Sequence, residues 1–189
     1  LCNCDLIETF LPVNTFDEVL EHLKGKCKMN LDRSIGIIEP VMKMVRRHGM
    51  EDQILMKSDP SEQSLKLIEA YAPDIDYMPI FMEEDHASEK IEKMKIHYAG
   101  AELVFKTEQS PIVQEAYLEE QKKKGRVLWG NAILYSSRVP LAGGHSDDIS
   151  LLEDPAQGWG WLAQKGFDII QTDWTMHCVN YLRENNYRK

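Results

Sequence analysis

The sequence predicts an α/β protein with a parallel sheet of the (β/α) TIM-barrel type. Short apolar runs alternate with segments of helical periodicity along the chain, and this alternation requires a parallel sheet whose faces are covered by helices. About six strand–helix units can be counted, whereas a closed barrel has eight. We therefore expect an incomplete barrel in a single domain that spans residues 1–189.

Each element is predicted from its apolar spacing and from the residues at its ends. Asn14 or Thr15 can cap the first helix, Gly25 and Gly49 end the first two helices, and Pro60 starts the third. The predicted strands are 26–33, 53–58, 75–81, 101–106, 126–134 and a last strand at Phe167. The predicted helices are 15–23, 35–47, one with Leu65 and Ile68, 88–98, 110–123, one from Pro155 and one with Met176, Val179 and Leu182.

One loop argues against an open sheet, and a second, longer loop is a candidate binding loop. A doubly wound open sheet that binds nucleotides carries a glycine-rich loop after its first strand, and residues 30–34 contain no glycine. Residues 135–154 show no regular periodicity and include Pro140, Gly143 and Gly144. A segment of this length is more typical of a binding loop than of a simple connection.

Polar and apolar side chains alternate along the strands. Lys28, Asn30 and Asp32 share one face of the first strand, while Met29 and Leu31 share the other. This alternation indicates that one face lines a polar barrel mouth and that the other packs against helices. The polar residues expected near the mouth on later strands are Lys57, Glu102, Lys106, Trp129, Asn131, Gln171 and Asp173.

These side chains allow two interpretations. Carboxylates such as Asp32 and Glu102 could hold a hard cation, and Lys57 and Asn131 could bind an anionic oxygen. Alternatively, the charged residues form rim ion pairs, for instance Glu102 with Lys57. Trp129 is either a wall of the site or a core residue.

His145, in the long loop, is the histidine placed nearest the mouth. Its side chain suits acid–base chemistry near neutral pH. A lone histidine in a loop is not enough to assign a catalytic role, and we assign none.

Composition excludes several functions. The net charge of -9 argues against a nucleic-acid-binding face, and the one tight basic cluster, residues 122–124, is typical of a solvated helix end. No apolar run approaches the roughly 20 residues that cross a bilayer, so we expect no transmembrane segment. Cys2, Cys4, Cys27 and Cys178 do not form a disulfide framework. Free thiols predict a reducing cytoplasm.

A set of short motifs in a consistent order resembles the glycerophosphodiester phosphodiesterases. The resemblance covers nearly the whole chain and rests on the order and spacing of the motifs. They are Thr15-Phe-Asp-Glu-Val-Leu, Met29-Asn-Leu-Asp-Arg, Tyr77-Met-Pro-Ile, Glu102-Leu-Val-Phe, Leu128-Trp-Gly-Asn, Gly144-His-Ser-Asp-Asp and Gly166-Phe-Asp-Ile-Ile-Gln-Thr-Asp.

The resemblance implies a metal-dependent hydrolase that converts glycerophosphodiesters into glycerol 3-phosphate and an alcohol. In that family three carboxylates at the barrel mouth bind a divalent cation, usually Ca²⁺ or Mg²⁺, and two histidines act as acid and base. Asp32 matches the third of these carboxylates. The expected substrate is a small-molecule phosphodiester. The candidate substrate-binding residues are Lys57, Glu102, Trp129, Asn131 and Asp173.

The sequence departs from the family at its beginning. The chain has no counterpart of three family features: His-Arg-Gly on strand one, Glu-x-Asp on strand two and the second histidine. Arg47-His48-Gly49 does not replace the first of these, because it is predicted to end a helix and not a strand. We therefore expect strands three to eight of the family barrel without the first two units, and the catalytic residues stay unassigned.

Two explanations of this departure stay open. In the first, the complete protein is a hydrolase of which this chain is the C-terminal portion. In the second, the chain is a shortened, non-catalytic relative with a binding or structural role. Because an incomplete barrel exposes two sheet edges and apolar surface, the second explanation requires covering segments or self-association through these edges.

Overall fold

The computed structural model describes residues 13–134 and 139–187. Six parallel strands form one curled sheet in the order β1-β2-β3-β4-β5-β6, which confirms the predicted α/β half-barrel. The strands are β1 Met29–Leu31, β2 Ile54–Ser58, β3 Asp76–Met82, β4 Gly100–Val104, β5 Val127–Asn131 and β6 Ile169–Gln171. Within the described ranges each strand pairs with its sequence neighbours, so β1 and β6 lie at the two edges.

Helices connect the strands. The α-helices are α1 Phe16–Leu23, α2 Ile38–His48, α3 Glu62–Tyr71, α4 Ser88–Ile91, α5 Glu115–Lys123, α6 Asp147–Leu152, α7 Trp161–Lys165 and α8 Thr175–Glu184. Short 3-10 turns occupy Ile35–Ile37, Glu51–Gln53 and Pro111–Val113, and a π-helical turn spans Ala156–Gly160. The longest described helix has 11 residues, and none of the described helices has the length and apolar character needed to cross a bilayer.

Local sequence explains where the helices begin and end. Thr15, rather than Asn14, caps α1: its hydroxyl accepts from the Glu18 amide, and its own amide donates to the Glu18 carboxylate at 2.7 Å. Ser61 caps α3 by accepting from the Ser64 amide at 3.3 Å. The α2 helix ends at Gly49, which has a φ of 59°, a conformation in which a side chain would be strained.

Several predicted bounds differ from the structure, and two connecting segments differ in kind. The helix expected over residues 88–98 ends at Ile91, because the following chain returns to the sheet, where the Tyr77 amide donates to the His97 carbonyl and the Ala99 amide donates to the Tyr77 carbonyl, each at 2.9 Å. The loop expected over residues 135–154 contains α6, which is too short to show helical periodicity. Residues 135–138 lie outside the described part of the chain.

The strand alternation separates a helix-facing side from an inner side. Buried apolar side chains on the helix-facing side include Met56, Tyr77, Phe81, Leu103 and Leu128, and they belong to the main core. The inner side carries Lys57, which lies next to Met78 in the register, and Glu102, which lies between Ile80 and Trp129. The predicted division into two faces is therefore confirmed.

Candidate functional site

A polar cluster occupies the inner face of the sheet across β2, β4 and β5. The Lys57 ammonium lies 2.8 Å from Glu102 Oε2, and the Asn131 side-chain amide donates to Glu102 Oε1 at 2.8 Å. The Lys57 nitrogen also lies 3.9 Å from the centre of the Trp129 ring. Four of the predicted site residues are thus in contact; we call Lys57, Glu102, Trp129 and Asn131 the inner-face cluster.

The cluster is buried and its charges are paired. Lys57 is 3% exposed, Glu102 7% and Asn131 2%. Because each Glu102 oxygen accepts a hydrogen bond, the carboxylate is engaged within the protein and is not displayed to a cation. Of the two interpretations of Glu102, a cation ligand or an ion-pair partner of Lys57, the structure has the ion pair. Burial of such a pair is tolerated because each charge compensates the other.

Trp129 links the cluster to β6. Its indole nitrogen donates to Gln171 Oε1 at 3.1 Å, while the ring, which is half-buried, receives the Lys57 ammonium on one face. Trp129 also lines a mainly apolar groove of about 370 Å³ on the inner side of the sheet, with Leu55, Met78 and Val127. Trp129 is therefore an inner-face residue and not a part of the helix-facing core.

Asp32 lies directly after β1 and is exposed. Its Oδ1 accepts from the Arg33 amide at 2.9 Å, and among the described residues Asp32 has no other hydrogen bond or ion pair. Arg33 has a φ of 52° and Glu83, directly after β3, has a φ of 66°. Left-handed backbone at non-glycine residues is strained and clusters at functional sites, and both residues lie at the C-terminal ends of strands.

Asp173 also follows a strand end, two residues after β6, and is exposed. Its amide donates to Asp147 Oδ2 at 2.9 Å. No hydrogen bond or ion pair within the described ranges joins Asp32 or Asp173 to the inner-face cluster. The structure thus gathers four of the six predicted residues and places the other two at the same rim without contact.

The described residues do not form a metal site by themselves. No group of three His, Cys, Asp or Glu side chains in residues 13–134 and 139–187 is close enough to hold a metal ion. Ca²⁺ takes six or more oxygen ligands and Mg²⁺ requires an octahedral set. Asp32 offers one carboxylate, so the cation implied by the resemblance does not fit the described residues alone.

His145 is held by contacts with Gln157, Glu108 and Trp161. One ring nitrogen lies 2.5 Å from the Gln157 carbonyl oxygen, and the other lies 3.0 Å from Glu108 Oε1. The ring stacks on Trp161 with 3.7 Å between ring centres. These contacts occupy both nitrogens and one face, so His145 anchors its loop and has no contact with the inner-face cluster.

Asp147 was not identified from the sequence. It is 4% exposed, and its carboxylate accepts from Trp159, Thr172 and the Asp173 amide. Asp147 belongs to the Gly144-His-Ser-Asp-Asp motif, but two adjacent aspartates in a loop do not show which one is buried.

Two tyrosines in other parts of the protein, Tyr77 on the helix-facing side of β3 and Tyr117 in α5, stay protonated at neutral pH. Burial raises the pKa of Tyr77 to about 12, and its hydroxyl lies 3.0 Å from Ser58 Oγ. Burial also raises the pKa of Tyr117, whose hydroxyl donates to Asp85 at 2.8 Å. The Tyr117 hydroxyl is therefore a hydrogen-bond donor, whereas either hydroxyl of the Tyr77–Ser58 pair can donate.

Two solved structures with a similar fold are described as glycerophosphodiester phosphodiesterases. A glycerophosphoryl diester phosphodiesterase from Parabacteroides distasonis ATCC 8503 superposes with a TM-score of 0.70 at 16% identity, covering 90% of this chain and 55% of that one. A protein assigned as a glycerophosphodiester phosphodiesterase from Galdieria sulphuraria superposes with a TM-score of 0.60 at 14% identity, covering 88% of this chain and 63% of that one. The chain therefore has the fold of part of such a barrel and spans less than two thirds of either structure.

Sequence comparison gives the family. A search of curated proteins found no match. A family profile described as a domain of unknown function, DUF4996, matches residues 77–182, which is more than half of the 189 residues. The match runs from β3 into α8 and includes three of the four residues in the inner-face cluster. This chain belongs to the DUF4996 family.

Proposed function

We propose that this chain is the C-terminal portion of a metal-dependent glycerophosphodiester phosphodiesterase barrel. In the complete protein it would contribute the phosphodiester-binding side of the mouth, with the inner-face cluster and Asp173 on the substrate side. Asp32 would be one ligand of a Ca²⁺ or Mg²⁺ ion. The remaining ligands and both acid–base histidines would come from two strand–helix units upstream.

The observation that carries this proposal is the convergence of polar residues from three strands of the parallel sheet, β2, β4 and β5, on one inner face. Parallel barrel enzymes build their sites from the C-terminal ends of several strands. Among the described residues, Glu102 supplies the one oxygen acceptor of the Lys57 ammonium, so Lys57 keeps donors for a phosphate oxygen. Because Lys57 is 3% exposed, binding of a phosphodiester requires local rearrangement of the cluster.

A non-catalytic binding or structural role is the second candidate. It is supported by the pairing of Glu102 with Lys57 and Asn131 and by the absence of a three-ligand metal group among the described residues. The proposed partner of the hydrolase is a small-molecule phosphodiester, and we propose no nucleic-acid partner for either candidate. A reducing cytoplasm, predicted from the free thiols, is the proposed compartment.

The experiment uses the polypeptide that includes the upstream units. Release of glycerol 3-phosphate is measured as Ca²⁺ or Mg²⁺ is titrated, for the unchanged protein and for Asp32→Asn. The substitution keeps the shape but removes a ligand charge, so we expect at least about a tenfold higher metal requirement with little change in melting temperature. Asp52→Asn, at an exposed aspartate in the turn before β2, is the matched control and should leave the titration unchanged.

An unchanged metal titration would remove Asp32 from the site. If Asp32 is only an exposed rim residue, Asp32→Asn should alter neither the metal titration nor the melting temperature, because the asparagine oxygen can still accept from the Arg33 amide.

A further inference from the structure

Asp147 is a buried carboxylate stabilised by neutral donors. Its Oδ1 accepts from Trp159 Nε1 at 2.7 Å and from Thr172 Oγ1 at 2.7 Å, and its Oδ2 accepts from the Asp173 amide at 2.9 Å. Within the described ranges no Lys, Arg or His forms an ion pair with it. A buried carboxylate is costly unless hydrogen bonds replace water, so these donors fix both oxygens of Asp147.

The backbone of Asp147 joins the ends of two strands. Its amide donates to the Ala132 carbonyl at 2.7 Å, directly after β5. The Ala132 amide in turn donates to the Gln171 carbonyl at 2.8 Å, at the end of β6. The main chain and side chain of Asp147 therefore hold the C-terminal ends of β5 and β6 together.

The segment that Asp147 binds at the end of β6 also contacts the inner-face cluster. Gln171 precedes Thr172 in the chain, and its side-chain oxygen accepts from Trp129 Nε1 at 3.1 Å. The Trp129 ring lies 3.9 Å from the Lys57 nitrogen. A contiguous set of contacts thus runs from Asp147 through the end of β6 to Trp129 and Lys57.

We propose that Asp147 is a positioning residue: it fixes the end of β6 so that Gln171 orients Trp129 over Lys57 and Asp173 stays at the rim. The importance of this role for substrate binding rests on the proposed function, while the positioning itself is a property of this chain. The alternative is a local role, in which Asp147 secures only α6 and the π-helical turn through Trp159.

The test is Asp147→Asn in the full 189-residue chain, followed by the indole N–H resonances of its four tryptophans in NMR spectra. Trp129→Phe and Trp159→Phe assign the two signals of interest. An asparagine cannot accept from all three donors, so we expect both the Trp159 and the Trp129 resonances to shift. The matched control Asp148→Asn changes the adjacent exposed aspartate and should leave the Trp129 resonance in place.

A second variant keeps the proposal testable if Asp147→Asn does not fold. Thr172→Val removes one donor to Asp147 at the β6 end and leaves the carboxylate in place, so it should shift the Trp129 resonance. If both variants fold and the Trp129 resonance moves in neither, the positioning role is overturned. If Asp147→Asn does not fold, an unchanged Trp129 resonance in Thr172→Val overturns it. Neither readout depends on turnover, so an inactive phosphodiesterase would leave this result unchanged.

Discussion

At the residue scale, the ion pair of Lys57 and Glu102 is the central feature of the inner face. Both residues are less than a tenth exposed, so neither charge is screened by bulk water. Removal of one partner from a buried pair leaves the other charge uncompensated, and this costs much more than the pair contributes against apolar replacements. A substitution that removes only Lys57 or only Glu102 should therefore lower the free energy of unfolding.

We expect Glu102→Gln to lower the free energy of unfolding by about 3–5 kcal/mol, because the Lys57 ammonium stays buried without an opposite charge. The double variant Lys57→Met with Glu102→Gln should recover much of that loss, since it removes the unpaired charge. Urea denaturation of the three proteins measures both effects. Additive losses in the double variant would show that the two residues contribute independently.

The sequence predicted which residues share the inner face but not how they pair. Strand alternation assigns Lys57, Glu102 and Asn131 to one side, whereas the choice between an ion pair and a cation site depends on distances across strands that alternation does not define. Asp147 was missed for a related reason: its donors Trp159 and Thr172 are separated from it by 12 and 25 residues, and no local pattern relates them.

At the element scale, the absence of a side chain at Gly100 allows β4 to lie close to β3 and β5. A Cβ atom at Gly100 would lie 2.3 Å from the Val127 carbonyl oxygen and 2.8 Å from Met78 Cε. The backbone oxygen belongs to the next strand and cannot move without disturbing the β4–β5 pairing. The pairing of β4 with its neighbours thus requires a glycine at position 100. The periodicity of the sequence does not reveal this requirement.

Gly100→Ala should therefore destabilise the protein by about 1–3 kcal/mol, the usual cost of overpacking, or by more if the strand pairing is lost. Gly36→Ala is the matched control, because a Cβ at Gly36 would meet no atom within 4 Å. Thermal unfolding followed by circular dichroism compares the two. Equal melting temperatures for both variants would contradict the close approach of β4 and β5.

Element prediction succeeded where a segment was long and periodic. The sequence predicted all six strands, but β1 spans three residues where residues 26–33 were expected, because an edge strand has ladder hydrogen bonds on one side only. The predicted α4 was too long because its last residues bond to β3. In the α4 segment, contacts between distant residues thus overrode the local pattern.

At the scale of the whole molecule, the six-stranded sheet leaves β1 and β6 as edges among the described residues. Exposed edges can pair with other strands, and self-association through them stays a prediction. The two phosphodiesterase structures with this fold are longer, since the chain covers 55% and 63% of their lengths. The fold is thus that of a partial barrel, and the proposed activity belongs to a completed one.

The central claim is that the 189-residue chain alone lacks a complete set of catalytic groups. It is tested most directly by measuring release of glycerol 3-phosphate from glycerophosphodiesters by this chain with Ca²⁺ or Mg²⁺ present. The chain offers one candidate metal carboxylate, Asp32, and no described histidine contacts the inner-face cluster, so charge neutralisation and proton transfer are not supplied together. We predict hydrolysis at the background rate. Clear metal-dependent turnover by this chain alone would contradict the account and would show that its catalytic groups lie elsewhere.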